Sequence, residues 1–129
     1  MKKKLIVSVV TAIALVGAAL PAFAAVDPDV TTNAYIDYSQ GSTTYVRGKS
    51  YARTTNTKMT KLNVQGVFST SSGSQLESAV VSTTTKGEEA AWYTKDKTYS
   101  AKGSYKLNTT SRTYYSGGSY DQDYASTSW

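Results

Sequence analysis

The chain has 129 residues, with 14 basic and 9 acidic side chains, a formal net charge of +5, and neither cysteine nor histidine. Those two absences exclude disulfides, Cys/His zinc sites and any nucleophile that relies on a histidine base. The modest charge excludes the strongly basic footprint of a nucleic-acid protein, so no nucleic-acid partner is expected.

The N-terminus reads as an export signal. Met1, Lys2, Lys3 and Lys4 form a positive n-region, and residues 5–20 (LIVSVVTAIALVGAAL) are an uncharged apolar run. Pro21 ends the run, and Ala22 and Ala24 place small residues where a signal peptidase reads them. The expectation is a Sec-type signal peptide over residues 1–24, cleaved after Ala24, and a secreted product. The run is shorter than the roughly 20 residues a spanning helix needs. No second apolar run follows, so no membrane span is expected after processing. Subtracting Lys2, Lys3 and Lys4 from the 14 basic residues leaves 11 against 9 acidic ones, so the net charge falls from +5 to +2. Of the 129 residues, removal of the first 24 leaves 105, a length that suits one domain with one core.

Residues 25–32 (AVDPDVTT) have no period and contain Pro28, which predicts a flexible N-terminal arm. Residues 33–38 (NAYIDY) alternate and predict a first strand, with Ala34, Ile36 and Tyr38 on one side. A turn at 39–42 leads to a second strand over 43–54. There Val46, Gly48, Ser50 and Ala52 form the side expected to be buried, with a bulge expected at Gly48. Residues 58–70 predict a third strand with Leu62, Val64, Gly66 and Phe68 toward the core. The turn 71–74 joins it to a partner over 76–85, whose buried face the pattern leaves open between Ala79/Val81 and Leu76/Ser78/Val80. A short apolar strand, 90–94, carries Trp92 as the expected core anchor.

Residues 97–108 (KTYSAKGSYKLN) show the clearest alternation: Tyr99, Ala101, Gly103, Tyr105 and Leu107 against Ser100, Lys102, Ser104 and Lys106. They predict one continuous strand with a buried and a wet face. A turn is expected at 108–111, then a strand over 112–116, a hairpin turn at Gly117-Gly118 and a last strand over 119–124. Residues 125–129 form a tail whose docking the pattern leaves open. Seven or eight short strands with regular turns give the fold class: all-β, a small antiparallel β-sandwich, Ig-like or similar, forming a single domain over residues 33–129. A closed barrel is the rival architecture.

Nothing in the sequence points to catalysis. Serine–lysine neighbours such as Lys49/Ser50 and Lys102/Ser104 are the coincidences expected of a chain rich in both residues. No phosphate-loop or dinucleotide fingerprint follows a strand, and no cofactor is expected. Asp121 and Asp123 stand two apart on a strand and, with Asp27 and Asp29, offer oxygen ligands for calcium, but the loop spacing is missing and no metal site is assigned. The eleven tyrosines are the informative set. One small core does not readily use that many, so some must line the surface. Tyr114, Tyr115, Tyr120, Tyr124 and Trp129 flank the Gly117-Gly118 turn and are the candidate binding residues, offering flat rings with polar tips. The function this implies is non-catalytic binding or assembly at the bacterial cell exterior. The expected partners are a cell-wall polysaccharide or another extracellular protein, and self-association into a homo-oligomer is open to the chain. The alternatives are a secreted antagonist (a bacteriocin or an enzyme inhibitor) and a fibre subunit that donates its N-terminal arm.

Overall fold

A computed structural model describes the backbone of Leu5–Val9 and residues 27–129. Most of the expected signal peptide and its cleavage site lie outside the described residues. The strands in chain order are β1 (Leu5–Val9), β2 (Val30–Tyr38), β3 (Tyr45–Thr54), β4 (Lys61–Thr70), β5 (Gln75–Thr83), β6 (Ala90–Tyr93), β7 (Tyr99–Ser100), β8 (Tyr105–Tyr114) and β9 (Tyr120–Ser128). Every pairing is antiparallel. One sheet has the order β1-β9-β8-β4-β5; the other has β2-β3-β6, with β7 also on β3. Among the described residues there is no helix. The chain is an all-β sandwich.

The core lies between the sheets because each strand alternates as its sequence dictates. Ala34, Ile36, Val46, Phe68, Tyr105, Leu107, Ala125 and Trp129 pack at one end; Ala52, Met59, Leu62, Val64 and Ala90 pack at the other. Large aliphatics are few, and hydroxyls take many of the remaining inward positions, two pairs of them bonded to each other. Thr32 and Ser111 are 2.7 Å apart, and Thr109 donates to Ser50 at 2.7 Å, each pair joining one sheet to the other.

Several boundaries differ from the sequence reading. The stretch 97–108 is not one strand. β7 belongs to the smaller sheet and β8 to the larger one, and the Gly103 N–H bonds the Ser100 carbonyl at 3.0 Å in the turn between them. The alternation survives because Tyr99 and Tyr105 enter the same core from opposite sheets, their rings 5.9 Å apart, with Phe68 against both. Residues 108–111 do not turn. They continue β8, since Thr109 and Ser111 find hydroxyl partners across the core and β-branched threonine suits a pleated surface. The tail 125–129 docks: Ala125–Ser128 extend β9, and Trp129 exchanges backbone bonds with Tyr105 at 2.9 and 3.2 Å.

Val30–Thr32, expected at the end of a loose arm, open β2 instead, because Thr31 and Thr32 pair with Arg53 and Ala52. Gly48 marks no bulge, as the β2–β3 register runs through it unbroken. A Cβ there would press on Leu107, Thr94 and Phe68 at 3.2–3.3 Å, so the glycine serves close packing. The register shift falls between Phe68 and Ser69. On β5, Glu77, Ala79 and Val81 take the inner side, half-buried, and leave Val80 60% exposed. Trp92 is half-buried and packs on the core from β6.

Candidate functional site

The β8–β9 hairpin builds the site. Gly117 and Gly118 have φ of 87° and 86°, the left-handed region that costs glycine nothing. Tyr115 N–H bonds the Ser119 carbonyl at 2.9 Å to close the turn. That closure fixes the register: Tyr114 opposite Tyr120, Arg112 opposite Gln122, Thr110 opposite Tyr124. Residues 111, 113, 123 and 125 point inward, so these six share the outer face of the larger sheet.

Their side chains form a connected row. The Tyr114 and Tyr120 rings lie 5.3 Å apart at 48°. The Arg112 guanidinium sits over the Tyr120 ring, 4.7 Å from its centroid, and donates from Nε to Gln122 Oε1 at 2.7 Å. Gln122 Nε2 donates in turn to the Tyr124 hydroxyl. Burial raises the Tyr124 phenol above its ordinary pKa, although Arg112 and Gln122 act to lower it. Beside the row a shallow depression of about 140 Å³ is lined by Asn63, Gln65, Val80, Thr110, Arg112 and Tyr114. The Asn63 Oδ1 at its edge is buried with no hydrogen-bond partner. Such a face offers flat rings, amide dipoles and a cation. Groups of this kind can stack on apolar surfaces and hydrogen-bond to polar ones.

Three of the five expected binding residues come together here: Tyr114, Tyr120 and Tyr124. Tyr115 stands apart. Its hydroxyl donates to Asp121 Oδ2 at 2.6 Å and accepts from Asn56 Nδ2 at 3.0 Å; burial first, then the Asp121 bond, raises its pKa. Trp129 is 7% exposed and belongs to the core, edge-on to Tyr38 at 5.1 Å with Nε1 donating to the Ala101 carbonyl at 2.9 Å. A tail tied back to Tyr105 carries its indole inward, so Trp129 is corrected from the binding face to the packing.

Asp123 is buried, and its carboxyl sits above the usual range chiefly because of that burial. Asp27 accepts from Thr54 Oγ1 at 2.8 Å and from Asp29 N–H at 2.9 Å. Among the described residues no group of three or more Asp, Glu, His or Cys is placed to hold a metal ion.

Arg112, Gln122 and Asn63 escaped the sequence reading. The signal for the first two was present. A two-glycine turn centred on 117–118 sets 112 opposite 122 as surely as 114 opposite 120.

The other outer face carries a second aromatic and cationic set. Arg47 lies over the Tyr93 ring at 4.6 Å and donates from Nε to the Thr94 carbonyl at 2.8 Å. Lys49 sits 4.3 Å from the Tyr51 ring, 5.3 Å from that of Tyr93, and 2.9 Å from Glu89 Oε1. Burial pulls the Lys49 ammonium down, but bonds with Glu89 and Tyr93 outweigh it and leave its pKa raised. Tyr93 is 46% exposed.

No protein-family model matches the chain, and no curated protein does. Among solved structures it is similar to a Bacteroides uniformis beta-glucuronidase, with a TM-score of 0.46 and 16% identity, over 70% of this chain and 12% of that one. It is also similar to Bacteroides uniformis beta-glucuronidase 2 covalently bound to cyclophellitol-6-carboxylate aziridine, with a TM-score of 0.39 and 13% identity, over 74% of this chain and 12% of that one.

Proposed function

We propose that the protein is a secreted, non-catalytic binding module that acts at the bacterial cell exterior, and that the outer face of its larger sheet grips cell-wall polysaccharide. One observation carries the reading: Tyr114, Tyr120 and Tyr124 lie in one row with Arg112 and Gln122 on the outer face of a paired hairpin. A pyranose presents an apolar face of C–H groups and a rim of hydroxyls. The half-buried tyrosine rings take the first, and the Arg112 guanidinium takes the second. The platform is rigid, because β8 and β9 are paired over nine consecutive positions from Lys106↔Ser128 to Tyr114↔Tyr120, so little order has to be imposed on binding.

The test is retention of purified protein on insoluble peptidoglycan and on immobilised polysaccharide. The Tyr120→Ala/Tyr124→Ala double variant should weaken retention about tenfold or more, the loss typical of aromatic anchors. Retention of the double variant equal to the parent protein sinks this assignment. Turnover of the bound polymer by the parent protein would sink the non-catalytic part of it.

A further inference from the structure

The same side-chain device occurs twice, once on each outer face. On the larger sheet Arg112 is pinned from Nε to Gln122 Oε1 at 2.7 Å and stacked over Tyr120 at 4.7 Å. On the smaller sheet Arg47 is pinned from Nε to the Thr94 carbonyl at 2.8 Å and stacked over Tyr93 at 4.6 Å. Among the described residues no ion pair or further hydrogen bond engages either guanidinium. Toward the described residues each therefore keeps its two terminal nitrogens unused, while its plane is fixed from behind and from one edge. An arginine held in this way has already given up its rotamer freedom, and its remaining fork matches two oxygens of a planar or tetrahedral oxyanion. The neighbouring ring supplies a stacking surface beside that fork.

We propose that Arg47 and Arg112 are two oxyanion forks facing away from each other, and that the protein cross-links polysaccharide chains bearing carboxylate or phosphate groups. This rests on the polysaccharide-binding reading and adds the charge of the ligand and the number of sites. The two faces cannot serve one chain segment, since the full thickness of the sandwich lies between them. Two sites on opposite faces instead join two chains, and on a repetitive polymer the joint contacts multiply into avidity. On the smaller sheet Arg53 follows Arg47 and Lys49 along the same outer side of β3, with Tyr45 and Tyr51 in the same row. That row repeats ring and cation at the two-residue strand spacing, about 6.5–7 Å, which suits a linear chain with a regularly repeated charge.

The experiment uses the purified protein, at a concentration where size-exclusion chromatography shows a monomer, with three soluble polymers (polygalacturonate for carboxylate, a polyglycerol phosphate for phosphate, and dextran as the neutral control) and a single-stranded oligonucleotide as a competing polyanion. Affinity electrophoresis reads binding, and light scattering reads cross-linking. The parent protein should be retarded by one or both anionic polymers at least about tenfold more strongly than by dextran, and should raise their scattering. Arg47→Gln and Arg112→Gln should each retain binding through the other face but abolish the rise in scattering, and the double variant should lose both. Arg47→Lys and Arg112→Lys keep the charge and most of the packing. They should recover less than half of the scattering, which separates fork geometry from charge alone and stands in should a glutamine variant fail to fold.

Dextran bound as tightly as the anionic polymers overturns the charge assignment and leaves the polysaccharide reading standing. Full scattering from either single glutamine variant overturns the two-site arrangement. Retention of a single-stranded oligonucleotide above either anionic polymer overturns the polymer class. Absence of binding to all three polymers and to peptidoglycan overturns the underlying reading together with this one.

Discussion

Tyr99 donates its hydroxyl to Glu77, which also accepts the Lys95 backbone N–H at 3.0 Å. The bond ties edge strand β5 to the far sheet through a single phenol. Burial, then the Glu77 bond and charge, raise the Tyr99 pKa above its ordinary 10.0. A group with a raised folded-state pKa contributes stability that is complete below its unfolded value and disappears as pH climbs through the folded one. The fold should therefore be insensitive to Tyr99 up to pH 10.0 and should weaken progressively above it. Tyr99→Phe should cost about 1–2 kcal/mol at neutral pH and make the alkaline decline shallower, as measured by urea unfolding midpoints at neutral and alkaline pH. Tyr115, donating to Asp121, adds a second contribution of the same sign, so the decline should not vanish. An equally steep decline in Tyr99→Phe would show that the Glu77 bond plays no part in it. At this scale the sequence was legible in kind but not in destination. Tyrosines recurring at every second position announced a sheet. Which of them went inward depended on partners more than 20 positions away, as Glu77 is from Tyr99.

β8 shows how an element escapes a local reading. Asn108-Thr109-Thr110-Ser111 has the composition of a turn, and those residues do favour turns when their side chains must bond their own backbone. Here Thr109 and Ser111 bond Ser50 and Thr32 on the opposite sheet instead, and β8 runs on to Tyr114. Ser50→Ala should leave the buried Thr109 hydroxyl without its partner and cost about 1–3 kcal/mol. Thr109→Val on top of it should restore part of the loss, because a missing pair costs less than a broken one. A double-mutant cycle by urea unfolding checks this, and strictly additive losses would show that the two hydroxyls are not coupled. The spacing between the sheets has its own test. At Gly66 on β4 an added Cβ would strike the Trp92 ring and Ser50 Oγ. Gly66→Ala should cost about 1–3 kcal/mol through overpacking, seen as a lowered Tm, and Trp92 fluorescence should shift as the ring is pushed outward. The β4 alternation placed Gly66 inward from sequence alone. The ring that needs its empty space comes from β6, and nothing local to residue 66 announces it.

For the whole molecule, the consequential feature is the edge of the larger sheet. β1 lies along β9 over five positions, from Leu5↔Ser128 to Val9↔Tyr124. β1 falls within the segment proposed to be removed on export, so trimming after Ala24 would leave β9 as an edge. The uncovered stretch, Ala125-Ser126-Thr127-Ser128, has no proline, charge or bulge to discourage another strand. Amides within residues 124–128 should exchange with solvent faster in the trimmed protein than in the full chain, as read by hydrogen exchange. The trimmed protein should also associate with rising concentration in size-exclusion chromatography, since β9 can pair with a strand of a second copy. Ser126→Lys, which sets a charge on that edge, should return it to a monomer while the full chain stays unaffected. Equal exchange in both forms, together with a trimmed protein that stays monomeric, would mean that β1 protects nothing. In that case the forks on Arg47 and Arg112 would have to act within single protomers, and cross-linking would come from the two faces of one sandwich without help from assembly.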